Sequence, residues 1–137
     1  MEIIEIIKQD YQRFPNDQTY SIYIEDVYFK DPLNEFRGVD RYKQNINLIA
    51  TWFQDIKLDL HEIRRDLDII HTEWTLNMNS PLPWKPRLAI PGRSELKVNR
   101  DELIISHIDY WHISRFDLLK QNIFPPNREI NGDNKDT

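Results

Sequence analysis

The chain's 137 residues are one domain's length, and 39% hydrophobic with 30% charged residues is a composition that folds. A net charge of −5 argues against a nucleic-acid or anionic-membrane surface, and the lack of cysteine excludes disulfides, thiolate metal sites and cysteine nucleophiles. No apolar run nears the ~18 residues of a membrane span, and MEIIEIIK is acidic where a leader would be basic, so a cytoplasmic setting is expected.

Ile3, Ile4, Ile7, Tyr11 and Phe14 share one face of a 3.6-residue period, which predicts a first helix stopped at Phe14 by Pro15. Asn16 or Asp17 can cap a second helix carrying Tyr20, Tyr23, Ile24 and Val27. Val27 to Lys30 then reads as a short strand, closed by Asp31-Pro32. After the loop from Leu33 to Gly38, a third helix is predicted from Tyr42, Ile46, Ile49 and Phe53, with Gly38 suited to its tight start.

From Asp55 the period falls to two. Ile56, Leu58 and Leu60 alternate with polar residues, as do Ile70, Thr72, Trp74, Leu76 and Met78. A third strand is predicted over Ile90 to Val98 and a fourth, apolar on both faces, over Leu103 to Ile113. Asn99-Arg100-Asp101 forms the turn of an antiparallel hairpin between these two. Pro81, Pro83 and Pro86 keep their loop out of the sheet, as a long connection whose Trp84 should pack back onto the domain. Residues 1–121 are expected to make the domain and 122–137 a polar, disordered tail. Helices followed by antiparallel strands make the class α+β.

His107, Asp109 and Trp111 lie at i, i+2 and i+4, so a strand points all three to one face. A histidine and an aspartate side by side can share a proton, or can simply satisfy each other and fix the strand's register. They make no metal site: no histidine pair stands at i, i+4, and His61, His71 and His112 read as outward-facing. Ile104, Ile108 and Tyr110 fall on the opposite face, and covering them in a homodimer would remove apolar surface from water.

The segment Tyr23-Ile24-Glu25-Asp26-Val27-Tyr28-Phe29-Lys30-Asp31-Pro32, followed by Phe36-Arg37-Gly38, resembles the nuclear-transport-factor-2-like superfamily. That superfamily includes SnoaL-like and ketosteroid-isomerase-like proteins. Ile105-Ser106-His107-Ile108-Asp109-Tyr110-Trp111 is similar to its last strand. More narrowly, Asp17 to Tyr20, Tyr28 to Leu33, Pro81 to Trp84 and Ser106 to Trp111 resemble a cyanobacterial and plastid family of unknown function. The resemblance spans about residues 1–118. It implies three N-terminal helices packed in a curved antiparallel sheet, a cone whose open end is an apolar pocket. It also implies that Asp31 stands where ketosteroid isomerases keep their general base, that Trp111 lines the pocket, and that Ser94 replaces the oxyanion-hole acid. A serine hydroxyl supports an enolate less well than an acid does. Ile7 and Tyr11 compete for the place of the donor tyrosine.

Asp31 admits a plainer role too: opening the Asp-Pro turn, with its carboxylate accepting backbone N–H groups. The function expected first is binding of a small apolar ligand, with Trp74 and Trp111 as walls, Ser94 and Tyr23 beside the ligand, and no cofactor. The alternative is an isomerase, dehydratase or cyclase that uses Asp31 or the His107–Asp109 pair as acid and base. A third reading is a noncatalytic dimeric scaffold. Pocket geometry discriminates, since carboxylate and imidazole converging on an unfilled apolar cavity favour chemistry and a plugged cavity favours a scaffold.

Overall fold

The computed structural model describes residues 1–123, and no helix among them is long and apolar enough to cross a membrane. Helix α1 (Ile3–Arg13) buries Ile3 and Ile7 on the face its periodicity predicts. Phe14 leaves the helical region at φ −52° and ψ 134°, as a residue before proline does. Strand β1 (Tyr23–Lys30) and the short β2 (Glu35–Arg37) form a hairpin around the Asp31-Pro32 turn. Helix α2 (Val39–Trp52) starts at Gly38, whose φ of 115° favours glycine and whose N–H is held 2.9 Å from the Val27 carbonyl. Four longer strands follow: β3 (Gln54–Asp66), β4 (Ile69–Asn79), β5 (Arg87–Val98) and β6 (Ile104–Trp111). Helix α3 (Arg115–Ile123) comes last.

The six strands form one sheet in the order β2-β1-β6-β5-β4-β3. All neighbours are antiparallel except β1 and β6, which pair in parallel, so the expected antiparallel sheet is a mixed one. Three apolar clusters fill the sheet's inner side. In the first, α1 brings Ile3 and Ile7 against Val27, Ile70, Leu96, Val98 and Ile104. The second surrounds Trp74, Met78, Leu88 and Ile90 and receives Ile49 and Phe53. The third joins Phe29 to Tyr42 and Ile46.

Three expectations need correcting. The helix expected over Tyr20, Tyr23, Ile24 and Val27 is a single 3-10 turn (Tyr20–Ile22) running straight into β1. Those apolar positions fit both periods, but the β-branched and aromatic run favours a strand, and only a strand buries Val27 and Phe29 side by side. The helices are therefore not all N-terminal, because the third one is α3, which follows β6 in the chain. Ile104 does not face outward: it is fully buried in the first cluster, opposite Val98. A register shift beside Val98 puts Ile104 and His107 on the same face, three residues apart, where strict alternation would separate them.

The proline-rich loop behaves as its composition requires, leaving β4 at Ser80 and closing with the Ser80 N–H on the Pro86 carbonyl at 2.9 Å. Its Trp84 packs back by donating its indole N–H to the Asn122 carbonyl of α3 at 3.0 Å. Gln121 anchors the same helix, since its side-chain amide accepts the Ala89 N–H at 2.8 Å and donates to the Ala89 carbonyl at 3.2 Å. Asn122 and Ile123 of the expected tail thus form the last turn of α3, while 124–137 lie outside the described residues. Trp84→Phe keeps the ring and deletes the donor. Trp84 is 42% exposed, so the loss should stay below ~1 kcal/mol and show as faster hydrogen exchange confined to α3. Unchanged exchange in α3 would mean that this bond does not hold the helix.

Candidate functional site

Strand β6 delivers His107, Asp109 and Trp111 to the inner side of the sheet, opposite Leu96, Ser94 and Gly92 of β5. On the next strand Trp74 stands beside Gly92 and Thr72 beside Ser94. Helix α1 adds Tyr11, and β1 and α2 add Tyr23 and Tyr42. Of these, Tyr11, Tyr23, Tyr42, Trp74, Ser94, Leu96, His107, Asp109 and Trp111 line one cavity of about 120 Å³.

A continuous hydrogen-bond chain runs along its wall. The Trp74 indole donates to Ser94 Oγ at 2.8 Å, and Ser94 Oγ lies 2.5 Å from Asp109 Oδ1. His107 Nε2 approaches the same Oδ1 at 2.8 Å. An indole N–H can only donate, so it takes a Ser94 lone pair and leaves the serine's one proton for Asp109. The Asp109 carboxylate can only accept, so His107 carries a proton on Nε2. His107 Nδ1 then faces the Tyr23 hydroxyl across 3.5 Å, too far for a strong bond. Rings pack the imidazole on several sides: the Phe29 centroid is 4.9 Å away and the Tyr42 centroid 5.4 Å.

The three phenols resist ionisation. Burial pushes Tyr11, Tyr23 and Tyr42 well above the usual tyrosine range, and the Asp109 charge adds to the rise in each. The Tyr11 hydroxyl pairs with Thr72 Oγ1 at 2.9 Å, which pulls the other way.

Of the residues singled out in the sequence, Tyr23, Trp74, Ser94, His107, Asp109 and Trp111 all meet at this cavity. Asp31 lines it as well, but its carboxylate is engaged elsewhere. Its Oδ1 accepts the N–H groups of Leu33 at 2.8 Å and Asn34 at 2.7 Å, which is the plain turn-forming role. Sequence reasoning missed Tyr42 and Asp10 and left Tyr11 in doubt. Asp10, 6% exposed, accepts bonds from Arg13 at 2.9 Å and from the Thr19 hydroxyl at 2.8 Å, pinning the loop after α1. Its only signal was an Asp–Arg pair three apart in the helix's last turn. Among the described residues, no three histidine or acidic side chains converge as a metal site would require.

The sequence pattern of a family described as "Uncharacterized conserved protein (DUF2358)" matches residues 1–107. No curated protein matches the chain. Its fold is similar to several solved structures. A SnoaL-like polyketide-cyclase candidate from Jannaschia sp. CCS1 superposes with a TM-score of 0.73 at 10% identity, covering 90% of this chain and 92% of that one. A hypothetical protein with a ketosteroid isomerase-like fold from Catenulispora acidiphila DSM 44928, in complex with trimethylamine, gives 0.71 at 17% identity over 91% and 96%. An epoxide hydrolase-like enzyme from M. tuberculosis gives 0.66 at 18% identity over 86% and 84%. At such identities the likeness extends to the fold alone.

Proposed function

Because the chain belongs to DUF2358, a family of uncharacterized conserved proteins with a nuclear-transport-factor-2-like fold, we propose that it binds a small, mainly apolar molecule in its cavity. One observation carries this reading. The cavity is unfilled, yet the Trp74, Ser94, Asp109 and His107 polar groups on its wall already bond one another. A guest with an apolar surface therefore enters without breaking any of these bonds. At about 120 Å³ the space suits a ligand of a few heavy atoms, well under the ~300 Å³ of a drug-sized site. A neighbour of the same fold binds trimethylamine, a molecule of that scale.

Acid–base chemistry is the second reading, supported by a carboxylate and an imidazole that converge on an unfilled cavity. It ranks below binding because Ser94, at the place of an oxyanion acid, already gives its only proton to Asp109. Asp31 contributes little to it, being engaged in its turn. A homodimer remains part of the proposal, now resting on Ile108 and on Tyr110, which is 38% exposed on the outer face. So do a cytoplasmic setting and a cyanobacterial or plastid source, the latter on the likeness of Tyr28 to Leu33 and Pro81 to Trp84. Native mass spectrometry of the purified chain tests the main reading. A small adduct that disappears in Trp74→Ala is the expected result. A bare mass, together with no response of the Trp74 indole resonance to a library of small fragments, would sink it.

A further inference from the structure

We propose that the cavity selects a small organic ammonium ion, with Asp109 as its counter-charge and the surrounding aromatic rings as its cage. This inference rests on the small-ligand reading above and adds the sign of the ligand's charge.

The charge of the wall comes first. Asp10, Asp31 and Asp109 line the cavity, and among the described side chains no lysine or arginine does. Asp10 is answered by Arg13 at 2.9 Å, and the Asp31 carboxylate is taken up by the N–H groups of its own turn. Asp109 differs. Ser94 and His107 both meet its Oδ1, and Oδ2 takes part in neither bond. His107 gives its Nε2 proton to that same Oδ1 and turns Nδ1 toward the Tyr23 hydroxyl, so its ring leaves Oδ2 untouched. Asp109 thus lines an aromatic cavity with an oxygen that neither Ser94 nor His107 takes up.

The rings complete the selection. Tyr11, Tyr23, Tyr42, Phe29, Trp74 and Trp111 line the same space. Ring faces carry the negative end of the aromatic quadrupole and attract a cation within about 6 Å of the centroid. An anion would meet both the carboxylate and those faces and be repelled by each. A methylated or short alkyl ammonium has an apolar shell for the walls and a diffuse charge for Asp109. The 120 Å³ available holds roughly four water-sized groups, which caps the ion's size.

The test compares tetramethylammonium with tert-butanol, a neutral molecule of similar shape with the same number of heavy atoms. Each is titrated into the full chain at constant ionic strength while the Trp74 and Trp111 indole resonances are followed. Saturable binding of the cation, at least tenfold tighter than the alcohol, is expected. Asp109→Asn should weaken the cation at least tenfold and leave the alcohol unchanged, whereas Asp31→Asn should change neither. If the alcohol binds as well as the cation, the charge selection is wrong and the small-ligand reading stands. Binding of neither overturns both. Loss of cation affinity in Asp31→Asn but not in Asp109→Asn removes Asp109 as the counter-charge. The wild-type comparison decides the matter even if the Asp109 variant does not fold.

Discussion

Gly92→Ala is expected to be the most damaging small substitution in the chain, lowering stability by ~3 kcal/mol and the melting temperature by on the order of 10 °C. Gly92 lies on β5 with Trp74 beside it on β4 and Trp111 opposite on β6. A Cβ built there would stand 2.6 Å from the Tyr110 carbonyl oxygen and 2.7 Å from the far edge of the Trp74 ring. The carbonyl is backbone and cannot swing aside, so β5 and β6 would have to separate locally. Trp74 would also have to tilt, and its indole N–H holds Ser94 in the chain that ends at His107. Thermal unfolding followed by circular dichroism measures the first effect. The Trp74 indole resonance measures the second. A variant with wild-type stability and an unmoved Trp74 signal would falsify this account of the β5–β6 contact.

The glycine shows how far the sequence could be read. Alternation over Ile90 to Val98 places Gly92, Ser94 and Leu96 on one face, and the structure agrees. Alternation likewise puts His107, Asp109 and Trp111 together, and they share one cavity. Alternation cannot reveal that Gly92 is empty so that a tryptophan from the next strand can lie over it. That fact depends on the cross-strand register that pairs Trp74 of β4 with Gly92 of β5.

The failures have physical causes of the same kind. Ile104 was misplaced because a strand irregularity shifts the period between it and His107, and a bulge leaves no mark in the spacing of apolar residues. The helix expected at Tyr20 to Val27 lost to a strand because the parallel pairing with β6 satisfies its backbone, a long-range term that no local window contains. Helix α3 is short, with Phe116, Leu119 and Ile123 exposed, and is held to the domain by the Gln121 amide and by Leu118. The Ser94 hydroxyl stood out in the sequence as a departure from an acid. Its role as the bridge between Trp74 and Asp109 needed three strands in register.

Alkaline pH is expected to unfold this protein sharply once it passes the usual tyrosine value of 10.0. Burial, as the largest cause, raises Tyr11, Tyr23 and Tyr42 far above that value, so in the folded chain they keep their protons. In the unfolded chain they titrate near 10 and lose them. Above that pH the unfolded state therefore binds fewer protons than the native one, and stability falls as pH rises. Below it both states hold the protons, and these groups make no pH dependence. Phenolate absorbance should accordingly rise in two stages. The more accessible of the six tyrosines ionise first with the fold intact, and the buried ones only together with loss of the circular-dichroism signal. A single smooth titration of all six near 10 in a folded chain would contradict the burial of these phenols. Tyr23→Phe sharpens the test by keeping the ring and deleting one of the withheld protons. Its stability should fall less steeply with pH than that of the parent, and an equal slope would place the Tyr23 phenol in solvent.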